Sequence, residues 1–431
     1  MRECFQPNTF QAHSFQPHRR MYLRIQNIGK MIIARLMICF CVCILTSLTA
    51  VEASSLEQAK RLHDRIVGTP ASAKILNDMV TLLDNGQTIE AAYKAMESSH
   101  FYTTTLKLFA TPWTNEDQDI FSPLNDYSAT VIGMVRDDID FRQILQADIT
   151  YVGKESLGLP NYNKNNNDHY QALEDNFTNL ADGLVSRAQS SLNGLPSIAT
   201  AGVLTSRASA KAFFYLGTNR AMLRFTLINH MCTDLEPLKD NTLSPDRIRQ
   251  DVSRSPGGDS RIFLNNCSSC HTGLDPLAQA FAYYDYQFDV NTDPEGQAGA
   301  INYNASGSID PKTNSRVKAK YHFNASHFPY GFITQDDQWQ NYWREGINQK
   351  LGWDPSLSGK GAGIKSLGQE IANSQTFAQC QVKKVFKNVC LRQAESAADL
   401  AQINTTTESF KQHSYQLKRV FAEVGAYCMG E

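Results

Sequence analysis

The sequence lacks a long apolar run, a net charge of any size and a second copy of its one C-x-x-C pair, and each lack closes a reading. The main apolar run, Leu36 to Leu48, has 13 residues, short of the ~20 that a bilayer-spanning helix needs. Formal net charge is −2. Residues 1–53 hold six Lys/Arg (Arg2, Arg19, Arg20, Arg24, Lys30, Arg35) and two acids (Glu3, Glu52), leaving 35 basic against 41 acidic residues, a net of −6, in the remainder. A mildly acidic body gives no support for binding nucleic acid or an anionic membrane. Without a second C-x-x-C beside Cys267 and Cys270, four zinc ligands are not assembled. His322 and His327 lie roughly 50 residues on, where a zinc finger expects about 12–15. Asp137, Asp138 and Asp140 lack the alternation, central Gly and terminal Glu of an EF-hand loop, and read as a solvated helix end. Hydrophobic residues at 42% and charged residues at 19% describe a globular chain. Its 431 residues suffice for two or three domains with a sizeable core.

The N-terminus reads as an export signal. Arg35 precedes the run LMICFCVCILTSL at 36–48, and Val51 and Ala53 supply the small residues of a cleavage site, expected after Ala53. The competing reading is a retained anchor, since Met31 to Ala50 is nearly long enough to span if Arg35 snorkels. Residues 1–30 are long for such a leader and rich in Gln, His and Phe; a start at Met31 would leave His13 and His18 without function. Cys39, Cys41 and Cys43 sit inside the apolar run, so none fits a lipid-attachment site. With Cys4 they leave with the signal. Cys232, Cys380, Cys390 and Cys428 are then an even set in an oxidising compartment. Four cysteines allow three pairings; Cys380–Cys390, short and local, is the economical one.

Past Ala53 the rhythm is helical. Leu56 to Val67 predicts an amphipathic helix (Leu56, Ala59, Leu62, Ile66) stopped by Gly68-Thr69-Pro70. Ile75 to Leu83 predicts a second, ending at Asn85-Gly86, and Thr88 is placed to cap a third that runs to Met96. Tyr102 to Phe109 predicts another, broken by Pro112. Ser122 to Asp126 reads as a turn, with a helix starting at Ala129. The polar stretch Asn161 to Asp168 reads as a loop tip. Asn219 to Cys232 is a strong helix, with Met222, Leu223, Leu227 and Met231 on one side. Leu235 to Gly258 reads as a polar connector, Ser356 to Gly363 as a loop, and Ile364–Cys390 and Asp399–Phe421 as helices.

One stretch carries chemistry. Cys267-Ser268-Ser269-Cys270-His271 is C-x-x-C-H, the attachment sequence of a c-type haem. Two thiols at this spacing add to the two vinyl groups of one porphyrin, and the adjoining His271 falls under the iron as proximal ligand. The expected cofactor is therefore one covalent haem c, held by Cys267 and Cys270, with His271 on the iron. The second ring nitrogen of His271 needs an acceptor. Backbone carbonyls of a Gly273–Pro276 turn are the nearest candidates, with Asp275 capping or pinning that turn. Arg220 and Arg224 fit either the haem propionates or an exposed basic face.

The run CSSCHTGLDPLAQAFAYYD at 267–285 resembles the c-type-cytochrome-like domains first described from planctomycetes and found widely in Gram-negative bacteria. There C-x-x-C-H is followed by two residues, a hydrophobic residue, D-P-L, a small residue and an aromatic-rich stretch ending in Asp. Cys267, Cys270, His271, Leu274, Asp275, Pro276, Leu277, Phe281 and Asp285 match. Gly202 to Thr205, the Arg220 helix, Gly307 to Asp310 and Phe377 to Cys380 are similar to flanking parts of that domain. The likeness covers roughly 201–390 and is specific around the haem motif; these families are largely of unassigned function.

The expected fold is mainly α: a multi-helix protein with an embedded cytochrome c-like haem domain. Its expected divisions are a signal at 1–53, a helical N-terminal domain at 54–200, the haem domain at 201–310 and a mainly helical region at 311–431. The sixth iron ligand is open among His322, His327, His413, His230, Met231 and Met429, or no ligand at all. Trp339, Trp343 and Trp353 pack on the haem or build core. These features predict an exported monohaem cytochrome of the periplasm or cell envelope, passing single electrons to a redox partner protein. The alternatives are a peroxidase- or oxygenase-like haem enzyme, which a single C-x-x-C-H disfavours against dihaem peroxidases, and an envelope interaction protein with structural haem.

Overall fold

The computed structural model describes residues 53–430. Arg35, the apolar run at 36–48, Val51, His13, His18, Cys4, Cys39, Cys41 and Cys43 lie outside the described residues. Ser54 takes the backbone N–H of Glu57 on its hydroxyl, and the Glu57 carboxylate accepts the Ser54 N–H at 2.9 Å. This capping box starts α1, Ser55–Val67, which Gly68 ends in the left-handed region. Ser72 caps α2, Ala73–Asp84. In α3, Thr88–Ala95, Gln87 holds the cap position and Thr88 is already helical, so Thr88 is not the cap expected. A π-turn at Phe101–Thr105 runs into the helix Leu106–Ala110. α4, Asp126–Arg136, begins before Ala129 because the Asn125 side chain accepts the N–H groups of Tyr127 and Ser128, both at 3.1 Å.

β1, Thr150–Gly153, pairs antiparallel with β2, Leu184–Arg187, in the register Thr150 opposite Arg187. The next elements are α5, Arg220–Met231, and α6, Ser268–Ala278. β3, Tyr284–Gln287, pairs with β4, Ala300–Tyr303, and β5, Gln338–Gln340, with β6, Lys360–Ala362, both antiparallel. The chain closes with α7, Gly363–Ala372; α8, Gln375–Cys390; α9, Ala397–Gln412; and α10, Leu417–Met429. Each long C-terminal helix of the sequence reading is thus two. Ser374 interrupts the first by capping α8, and Ser414 and Tyr415, both at positive φ, interrupt the second.

The described chain is mainly helical. α10 packs on α1, α3, α8 and α9; α8 packs on α5; and α5 packs on α6. α10 meets α1 closely at Gly425, where a Cβ would come within 2.8 Å of Ile66 and 2.9 Å of Leu62. One apolar core runs from Ala59 to Met429 and draws on all of 54–200, 201–310 and 311–431. Among the described residues no helix is long and apolar enough to cross a membrane.

The disulfides correct the economical pairing. Cys232 at the end of α5 bonds Cys380 within α8, and Cys390 at the end of α8 bonds Cys428 in α10, with Cα separations of 5.3 and 5.5 Å. Cys380 and Cys390 share one helix. Ten helical residues set their Cα atoms roughly 15 Å apart, beyond the ~7 Å a disulfide can span. Residues near in sequence are here kept apart by the helix itself.

Candidate functional site

The C-x-x-C-H stretch lies at the head of α6. Its approach, Phe263–Cys267, is a π-turn, a feature that recurs at functional sites. Cys267 and Cys270 are the free cysteines among the described residues, and both are half-buried. Cys267 packs against a small apolar cluster of Ile248, Val252 and Phe263. Cys270 lies with its Sγ 3.9 Å from the carbonyl of Leu235; burial pushes its thiol pKa up, and Lys239 works against that rise. Side chains before the motif, Ile262 and Leu264, are apolar and exposed.

α6 is clamped along its length. A Cβ at Gly273 would lie 2.0 Å from Nε1 of Trp343, so only glycine lets that indole lie against the helix. Trp343 is fully buried, and its carbonyl accepts the indole N–H of Trp353 at 3.0 Å. The Tyr321 hydroxyl donates to the Ala278 carbonyl at 2.8 Å. The Ser269 carbonyl takes the Asp240 N–H at 3.2 Å.

His271 and Asp275 are four residues apart and share a face of α6. Nδ1 of His271 is 3.1 Å from Oδ1 of Asp275. The expected Gly273–Pro276 turn is helix, and a helix directs those carbonyls along its axis, away from the ring. The acceptor is the carboxylate. Asp275 is fully buried and also takes Arg220 Nε at 2.6 Å, Arg220 Nη2 at 2.9 Å and the Arg249 backbone N–H at 3.1 Å. Arg220 grips Asp251 as well, at 2.6 and 2.9 Å. The Arg249 guanidinium donates to Thr218 Oγ1 at 2.6 Å and lies 4.7 Å over the ring of Tyr321. Burial alone would raise the Asp275 carboxyl pKa; Arg220, Arg249 and the His271 N–H override it and hold it well below the usual range.

Arg220 is held by two carboxylates, Asp275 and Asp251, and does not form an exposed basic face. Arg224 does face outward, pairing with Asp234 at 2.7 Å. The sequence carried a signal for the His271–Asp275 contact in its four-residue spacing, hidden by reading the D-P pair as a turn. It placed Arg220 on a helix but gave neither of its carboxylate partners, and it carried no signal for Asp251 or Arg249.

The six candidates for a sixth ligand fall into different places. His230 is buried with Nε2 2.8 Å from the Tyr127 hydroxyl, and burial, then Lys384, holds its pKa well below the ordinary value. Met231 and Met429 belong to the main core. His413 ends α9 exposed, its Nδ1 2.8 Å from the Ser409 carbonyl. His322 has Nε2 2.9 Å from the Thr334 carbonyl, and the exposed His327 has Nδ1 3.1 Å from that of Asn324. Their segment is laid beside residues 248–250 by the bonds Phe328 N–H to the Gln250 carbonyl and Phe332 N–H to the Ile248 carbonyl, both 2.9 Å. Since the Arg249 N–H also reaches Asp275, this brings the His322–His327 stretch within one chain segment of α6.

The acidic trio behaves as a helix end. Asp137 pairs with Arg136, Asp138 with Lys418 and Asp140 with Arg142, at 2.7, 2.7 and 2.6 Å. Among the described residues no three His, Cys, Asp or Glu side chains gather as a metal-binding group. Surface clefts of about 810 Å³ by Trp113 and Lys384, and about 750 Å³ by Arg207 and Lys211, take none of their walls from α6. No protein-family model, curated relative or solved structure matches this chain.

Proposed function

We propose that the chain is an exported monohaem c-type cytochrome that passes single electrons to a partner protein in the periplasm or envelope of a Gram-negative bacterium. The observation that carries this reading is the division of the cysteines. Four of the six described cysteines are closed in disulfides, and the two left free stand one helical turn apart, directly before a histidine. The donor set fits the group: two available thiols for two thioether bonds, and a histidine whose Nδ1 is engaged by Asp275, leaving Nε2 for iron. When bound, haem supplies one-electron chemistry. This chain's residues then hold the imidazole tautomer, cover one side of the site with Ile248, Val252 and Phe263, and keep α6 rigid through Trp343 and Tyr321. The resemblance of 267–285 to the planctomycete-type cytochrome-like domains supports the same proposal.

A second reading, a peroxidase- or oxygenase-like enzyme, is favoured by the charged acceptor on His271, because a carboxylate partner raises the donor strength of a ligating imidazole. Optical spectra of the reduced protein with and without CO separate the two. A six-coordinate low-spin spectrum indifferent to CO is the expected outcome for the carrier; ready CO binding with peroxide reactivity overturns it in favour of the enzyme. The attachment itself is tested by Cys267→Ala and Cys270→Ala, each expected to change the thioether-dependent absorption bands. An unchanged spectrum sinks covalent haem.

A further inference from the structure

The contact between His271 and Asp275 has a chemical consequence that a structural ion pair would lack. Resting on the haem reading above, we infer that Asp275 is a positioning residue that fixes the proximal imidazole as an Nδ1–H donor to an anionic oxygen, and thereby lowers the iron potential below that of a neutral-acceptor site.

Three features support the inference. First, the carboxylate is saturated: its four lone-pair sites meet four donors, namely Arg220 Nε, Arg220 Nη2, the Arg249 N–H and His271 Nδ1, at 2.6, 2.9, 3.1 and 3.1 Å. Three of these are guanidinium or backbone N–H groups that cannot accept a proton, so the carboxylate is held in one rotamer with Oδ1 shared between Arg220 and the imidazole. Second, Asp275 is completely buried, so water does not compete for its oxygens and the interaction is not screened. Third, Arg220 and Arg249 are matched by Asp275 and Asp251, a charge balance that lets the group stay buried. That balance needs no histidine. The bond to His271 is an addition to it, aimed at the one imidazole expected to carry iron.

The physical effect follows from charge. A hydrogen bond to a carboxylate gives the imidazole partial anionic character, and negative charge at a ligand stabilises the ferric over the ferrous state. A neutral acceptor of the same shape removes that preference. Asp251 provides the control, because it holds Arg220 without touching His271.

The test is a spectroelectrochemical titration of the haem-loaded, full-length protein and its Asp275→Asn and Asp251→Asn variants. Asp275→Asn is expected to raise the midpoint potential by at least about 59 mV, a tenfold change in the one-electron equilibrium. Asp251→Asn should move it by less than half as much, and Asp275→Glu should return it towards the wild-type value. A haem-loaded, folded Asp275→Asn protein that shifts by less than half the expected amount, or an equal shift in Asp251→Asn, overturns the inference. If Asp275→Asn does not fold, proton–nitrogen NMR of the reduced wild-type protein labelled in histidine decides. A downfield, slowly exchanging Nδ1 proton on His271 supports the carboxylate contact, and a rapidly exchanging one overturns it. Wild-type protein that is folded yet carries no covalent haem overturns the haem reading and the inference with it; haem present with an unmoved potential overturns the inference alone.

Discussion

At the residue scale, small differences in local surroundings separate side chains that look alike in sequence. Gly273 sits in the middle of α6, where alanine would ordinarily strengthen a helix. Here the Trp343 indole occupies the space a Cβ would need. Gly273→Ala is therefore expected to destabilise the protein by about 1–3 kcal/mol, the usual range for overpacking a core, read as a lower urea midpoint. An unchanged midpoint would mean that the indole moves freely. Asp337 makes the pH-dependent case. Burial outweighs the opposing pull of Arg316 and pushes its pKa from 3.8 up to about 6. The folded state thus favours the protonated carboxyl. This group's contribution to stability is full below about pH 4 and is lost as pH rises through about 6. The Tm of the wild type minus that of Asp337→Asn should fall across that window and level off above it. A difference that rises with pH would reverse the assignment. The His271–Asp275 contact is half legible in the sequence: the spacing is a helical one, but proline after Asp275 suggests a turn, and only the helix running through Pro276 puts the two on one face.

At the element scale, what was readable was periodicity. α1, α2 and α5 follow their apolar rhythm, because a helix repeats every 3.6 residues and one buried face leaves a local trace. The six strands among the described residues, of three or four residues each, are too short for alternation to register. The breaks between α7 and α8 and between α9 and α10 leave a weaker trace, since each is a short polar stretch without Gly or Pro, Asn373 to Thr376 and Lys411 to Gln416, and the apolar period resumes beyond it. The disulfides staple these same helices. Cys232–Cys380 closes 148 residues of sequence and Cys390–Cys428 closes 38. Cys232→Ala with Cys380→Ala should cost about 2–5 kcal/mol, measured as a drop in thermal midpoint that added reductant no longer deepens through that pair. An intact midpoint would show that α5 and α8 hold together by packing alone.

At the scale of the whole molecule, the segment with the C-x-x-C-H motif is not framed by its own core. α6 rests on α5 and Trp343, α5 on α8, and α8 on α10, which closes against α1. A fragment of residues 201–310 would expose the apolar faces that α8 and Trp343 cover. It is expected to be protease-sensitive and to lack a cooperative thermal transition, whereas residues 54–431 should melt as one unit. A fragment with a sharp transition of its own would sink this view and argue for a separable domain.

The sequence alone determined what is local: the C-x-x-C-H spacing, the helical rhythm of the flanking segments and the mainly α character. Each depends on neighbours within about one or two helical turns, where composition and period act directly. Tertiary structure decided what depends on distance in the chain. Arg220 reaches Asp275 across 55 residues and Cys232 reaches Cys380 across 148, and no local pattern ranks such partners. The charge that faces His271, and the pairing within the set Cys232, Cys380, Cys390 and Cys428, were set by how the helices stack, because burial selects the partner for each group only once the core has closed.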